Sequence, residues 1–330
     1  MQSNPIGAPR RESWLRFHPL TTQDRPAMAA FRTIAERNKG KLRGSAARGP
    51  FDAVMTGIIA PEGVTYREDR IGGISGWWCE PPDALPGAAI QHLHGGWFNV
   101  GSAAGYRHLV GHIARSAGAL AFIPDYRLAP EYPFPAAIED ARANLQGLAE
   151  RGIDRIAVTG DSAGGTLALS LLSLVAAEPA TAVAPVGALV LSPITDLALT
   201  GSSWQSRADA DPFFVREQAE GLLQAYLKGH DPKDPVASPL YGNLHGLPPI
   251  RVQAGDDEVL LDDSLRFVER AVAAGIDARL DVWEGMPHGF IGISQTQAAG
   301  AALRAIGEFL SLRLAPYSGT HSPAQVHPEV

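Results

Sequence analysis

Cysteine is nearly absent from this 330-residue chain, in which Cys79 stands alone. A single thiol excludes an internal disulfide. Its place beside Trp77 and Trp78 points to a buried, structural strand position, and a cytoplasmic setting is the expectation. No run of about 20 apolar residues occurs, so the signature of a membrane-spanning helix is missing. The opening residues likewise have no apolar core of the kind a secretory signal needs. Excess positive charge is lacking too. The 28 basic and 35 acidic residues give a net charge of −7, with no footprint for nucleic acid and no polybasic patch for a membrane surface. Internal repeats and coiled-coil heptads are also missing. What remains is ordinary globular material, 45% hydrophobic and 19% charged, enough to bury a core.

Residues 1–50 are rich in Arg and Ala, with a helical stretch around Pro26–Lys39 that ends at Gly40, and they read as an appendage. From Ile71 the pattern turns to short β-type runs, each followed by a longer segment of helical spacing. The clearest runs are Ala88–Leu93, Ala119–Pro124, Arg155–Thr159, Val186–Leu191, Ile250–Ala254 and Arg279–Trp283. Between them, Gly101–Ala117, Pro135–Glu150, Ala163–Ala177, Leu260–Ala274 and Thr296–Leu314 have the length and composition of helices. This alternation predicts an α/β fold with a mostly parallel sheet. Ala198–Val236 breaks the rhythm and reads as an insertion carrying its own helix, Val215–Lys228, while 315–330 reads as a tail.

The chain's G-x-S-x-G is formed by Gly160, Ser162 and Gly164, between a predicted strand and a predicted helix. That context is what a nucleophile elbow requires. Small residues on either side let the backbone turn sharply, the serine hydroxyl is lifted clear of the sheet, and the amide of Ala163 falls at a helix N-terminus. A helix-capping part for Asp161 or Ser162 would explain less. Upstream, the run at His94–Gly96 leaves a strand as a His-Gly-Gly loop. Its exposed amides, those of Gly96 and Trp97, join Ala163 as candidate donors to an oxyanion. The loop lacks the G-K-[ST] ending of a phosphate-binding loop. His92 and His94 alternate on a strand and could face one metal, but His94 is better read as a hydrogen-bonding brace for the loop.

A serine nucleophile needs an imidazole, and the imidazole needs a carboxylate. With this elbow the chain order is serine, acid, histidine. His288 sits in a Gly- and Pro-bounded loop right after a strand and satisfies the order, whereas His245 precedes the acids. The acid loop offers Asp256, Asp257 and Glu258, between which spacing alone does not choose. Asp262 and Asp263 suit the first turn of the next helix.

With these residues assembled, the chain resembles the hormone-sensitive-lipase-like (bacterial family IV) esterases of the α/β-hydrolase superfamily over about residues 60–312. The motifs are Gly160–Gly165, Asp125–Glu131, Phe134–Asp140, Asp211-Pro-Phe and Pro287-His-Gly-Phe. In that family the acid is followed at +2 by Leu and at +4 by Asp, which selects Glu258, with Leu260 and Asp262 behind it. The family's usual Asp is replaced by Glu here, and Asp257 is the fallback. A second departure is Trp97, which stands where the family loop has its third glycine. The resemblance implies an α/β-hydrolase catalytic domain at 51–314 under a helical cap built from 1–50 and the insertion. Phe213, Phe214 and Trp97 would line the substrate pocket. It further implies a small-molecule ester substrate, no cofactor or metal, and a homodimer through an edge strand. Lactone or amide (acetyl) hydrolysis would use the same triad, and a non-catalytic binding protein is the alternative of another class.

Overall fold

The computed structural model describes residues 13–178, 183–293 and 295–316. Among these, nine strands form one sheet in the order β1-β9-β8-β7-β6-β4-β5-β3-β2. The strands are β1 (Leu15–His18), β2 (Thr65–Ile71), β3 (Ile74–Glu80), β4 (Ala88–Leu93), β5 (Leu120–Pro124), β6 (Arg155–Asp161), β7 (Gly187–Leu191), β8 (Ile250–Gly255) and β9 (Ala278–Trp283). Pairing is parallel from β1 to β5, and antiparallel where β3 joins β5 and β2 joins β3. The central strands β4 and β7 are buried at every position, which explains their unbroken apolar runs.

The helices are α1 (Asp24–Ala35), α2 (Arg48–Thr56), α3 (Ala103–Ala117), α4 (Ala136–Glu150), α5 (Ala163–Ala177), the short α6 (Ser203–Ser206), α7 (Arg216–Leu227), α8 (Leu261–Ala273) and α9 (Gln297–Leu314). Two apolar clusters flank the sheet. One holds α4, α5 and α8 residues such as Leu145, Leu167 and Phe267, and the other α3 and α9 residues such as Ile113 and Leu310. Cys79 is fully buried on β3. No helix among the described residues is long and apolar enough to cross a membrane.

The N-terminal segment departs from the expected appendage. Leu15–His18 is a strand of the main sheet, paired in register with Leu280–Trp283. Its four residues were too short to show periodicity, and their partner lies more than 260 residues away. Farther along, the segment meets the insertion. Arg32 Nη1 donates to Ala210 O at 2.6 Å, Gly40 N to Phe213 O at 2.8 Å, and Gln218 Nε2 to Leu42 O at 2.9 Å. The expected tail lies outside the described residues from 317 onward.

Candidate active site

Chain order and spatial order cross at β4, which lies between β5 and β6. Such a switch point opens a crevice at the carboxyl ends of parallel strands, and the His94 loop, Ser162, Glu258 and His288 follow the carboxyl ends of β4, β6, β8 and β9. Leu93 and Gly160 are register partners, so the His94 loop and the Ser162 turn emerge side by side. Ser162 has φ +54° and is 3% exposed, and its N–H donates to Leu191 O at 2.8 Å. A methyl group on Gly160 would strike the carbonyl of Gly164, and one on Gly164 the carbonyl of Leu93. Only glycine permits both approaches, and they hold the serine in its strained turn at the head of α5.

The His94–Gly96 loop is fastened to this turn by Asp161. One carboxylate oxygen accepts from Gly95 N at 2.9 Å and the other from the Tyr106 hydroxyl at 3.1 Å. Beneath the loop, His94 is fully buried and stacked on Tyr126 at 4.3 Å, and its Nδ1 lies 2.8 Å from Gly95 O. Burial pulls its pKa down to about 4, against the Gly95 hydrogen bond and the charge of Asp161. A neutral ring is therefore what packs beneath the loop. His92 turns to Thr159 Oγ1 at 2.8 Å, and the described residues hold no cluster of three potential metal ligands. The backbone N–H groups of Gly96, Trp97 and Ala163 have no hydrogen-bond acceptor among the described residues, although the carbonyls of Gly96 and Trp97 accept from Asn99. Ala163 opens a 15-residue helix, whose dipole favours negative charge at this end.

Trp97 adopts φ +55° and Phe98 φ +61°. Left-handed backbone is costly for bulky residues, so Trp97 takes a glycine's conformation without being one. Its ring is 1% exposed and meets the edge of Phe214 at 5.1 Å and Trp204 at 6.4 Å. Phe214 in turn lies 4.9 Å from the His288 ring, whereas Phe213 stands one step away, against Phe31.

The acid and histidine loops are zipped together by Asp257 N to Met286 O at 3.1 Å and Gly285 N to Asp256 Oδ1 at 2.6 Å. Glu258, fully buried, thereby faces His288, with Oε2 2.7 Å from Nδ1. Its other oxygen accepts from Ser192 Oγ and from Gly255 N, both at 2.8 Å. Asp257 points elsewhere, to Arg32. For His288, burial pulls the pKa down, but the Glu258 hydrogen bond and the charges of Glu258, Asp211 and Asp161 outweigh it, and the net shift is upward. Asp161 and Ser192 were not picked out by sequence reasoning as parts of the site. The usable signal was position, since each stands at or just past the carboxyl end of a central strand beside the serine.

Residues 90–292 match the family model described as the alpha/beta hydrolase fold. The chain belongs to the α/β-hydrolase family. An esterase of the bacterial hormone-sensitive-lipase family has a crystal structure that superposes with a TM-score of 0.83 at 34% identity, covering 88% of this chain and 99% of that one. An acetyl-hydrolase of Streptomyces hygroscopicus is 37% identical over 66% of this chain and 73% of its own length. An esterase of Acinetobacter venetianus is 34% identical over 79% of this chain and 86% of its own. This α/β-hydrolase thus stands among the ester hydrolases of the bacterial hormone-sensitive-lipase group.

Proposed function

We propose that this protein is a serine carboxylesterase that hydrolyses small or short-acyl esters through an acyl-enzyme. Ser162 is the nucleophile, His288 the general base and then acid, and Glu258 the carboxylate that orients it. The observation that carries this reading is the 2.7 Å contact from Glu258 Oε2 to His288 Nδ1, made beside a serine held at positive φ. By accepting from Nδ1–H, Glu258 leaves Nε2 with its lone pair to take the Ser162 proton. Oγ then bonds to the ester carbonyl carbon, and the amides of Gly96, Trp97 and Ala163 receive the oxyanion, each worth roughly 3–4 kcal/mol by typical mutant losses. The imidazolium passes its proton to the departing alkoxide. Water repeats the sequence on the acyl-enzyme and releases the acid, with no step that calls for a metal or organic cofactor.

The small-acyl preference is supported by the ring wall of Trp97, Phe214 and Trp204 and by the acetyl-hydrolase relative. The segment up to residue 50, β1 excepted, and the insertion Ala198–Val236 would cap the 51–314 catalytic domain, in keeping with their mutual hydrogen bonds. Residues 315–330 would stay outside both. A cytoplasmic setting suits a chain whose Cys79 is free and buried.

The test is Ser162→Ala against aryl esters of rising acyl length, beside an amide and a lactone. Ester hydrolysis should fall on the order of 10⁶-fold. Undiminished turnover in the variant would remove the reading, and a wild type active only on the amide or the lactone would redirect it.

A further inference from the structure

Asp211, from the Asp-Pro-Phe stretch of the insertion, has no part in the reaction as described above. It is 0% exposed and has no ion-pair partner among the described residues. Its Oδ1 accepts from Phe213 N at 2.7 Å and Phe214 N at 2.9 Å, and its Oδ2 accepts from Val259 N at 2.9 Å. One side chain therefore clamps two segments. Phe214 presses on the His288 ring, and Val259 directly follows Glu258, whose carboxylate holds the same ring.

Resting on the catalytic reading just given, we propose that Asp211 is a positioning residue for His288. It holds the Phe214 ring and the Glu258 loop in place about the imidazole, and it sets a second buried negative charge beside it. Three backbone N–H groups could be satisfied by a neutral amide and a hydroxyl. A buried carboxylate is a costly substitute unless its charge is used, and a nearby imidazole that becomes positive in each half-reaction uses it. Burial raises the pKa of Asp211 and the three N–H bonds lower it, with a net upward shift.

The charged groups around the imidazole are Glu258 on the acid loop, Asp211 on the insertion and Asp161 at the elbow. The cations paired with the acid loop are Arg32, on Asp257, and Arg207, on Asp256 at 4.0 Å. All three carboxylates favour the imidazolium form of His288.

The test reads the His288 imidazole by NMR titration in the Ser162→Ala background, and separately the pH profile of kcat/KM in the active enzyme. Asp211→Asn should move both the titration and the acid limb down by about 0.5–1 pH unit, because an attractive charge is lost. Its plateau kcat should also fall, since the imidazolium formed in the reaction is less well supported. Asp211→Glu keeps the charge and should leave the titration at the wild-type pH, although displaced loops slow turnover. If Asp211→Asn does not fold, Asp211→Ser makes the same neutral test with a smaller side chain. A neutral variant whose His288 titrates at the wild-type pH would overturn the proposal. The NMR arm stands whether or not the wild type hydrolyses esters, so a failure of the esterase reading is seen separately in the activity arm.

Discussion

Glu258 uses both oxygens at once, one on the His288 imidazole and one on Ser192 and the Gly255 amide. Replacing it with Gln tests what the charge adds to this geometry. In the wild type the net pKa shift of His288 is upward from the ordinary 6.5. Because His288, as the proposed base, must be neutral, activity should rise with pH through a value above 6.5. In Glu258→Gln the attraction is gone and burial remains. The acid limb should therefore shift to lower pH while kcat drops on the order of 10³–10⁴-fold, as when a triad carboxylate is neutralised elsewhere. Trp97 invites a different experiment. Trp97→Gly restores the residue that its φ of +55° favours and removes the ring between Phe214 and Trp204. Relief of about 1–3 kcal/mol of backbone strain should keep the loss of unfolding free energy below the roughly 3–5 kcal/mol typical of deleting a buried Trp. Urea titration measures that loss, and the acyl-length optimum of the variant should move to longer chains. At this scale the sequence was informative where chemistry restricts the residue type. Ser162, His288 and the His94 loop could be singled out from motif and order, and Asp211 only as part of a family motif without a role, whereas Asp161 and Ser192 are ordinary residue types whose place at the site comes from what folds against them.

Elements were legible in proportion to their length and burial. Helix α5 begins and ends where its spacing predicts, at Ala163 and Ala177, because a strand elbow precedes it and apolar residues run through it. The antiparallel β2–β3 pair was less visible. Its outer strand β2 has mostly exposed or half-buried residues, and its register comes from β3. Helix ends can also be completed from a distance. At the N-terminus of α9, Thr296 Oγ1 accepts from Ala299 N, while Asp24 of α1 accepts from Gln297 N at 2.8 Å and Ala298 N at 3.1 Å. Asp24 thereby joins the first described helix to the last one. Asp24→Ala should lower the unfolding free energy by about 1–2 kcal/mol, the upper part of the range for a lost cap, because the site is buried. Thermal or urea unfolding checks this, with ester turnover at room temperature expected to stay near the wild-type rate.

For the molecule as a whole, the placement of β1 decides what the sheet presents at one side. Strand β9 would otherwise be an edge, and β1 covers it over Leu280–Trp283. A protein beginning at residue 21 should therefore expose the β9 backbone groups and associate through them, since an uncovered strand edge is a template for pairing. Light scattering on a dilution series should show a steeper concentration-dependent increase in mass than the full chain gives, together with a lower melting temperature. The sequence could not show this arrangement, because a four-residue strand carries almost no pattern of its own and takes its conformation from its partner. That partner lies at the far end of the chain, which matters during synthesis. Strand β1, the first among the described residues, must wait until residues 280–283 have also emerged, when almost the whole catalytic body is already available to fold. Addition of β1 to this edge is thus a late event of long contact range, and a nascent chain halted before β9 carries an unpaired β1 that a second nascent chain could take up.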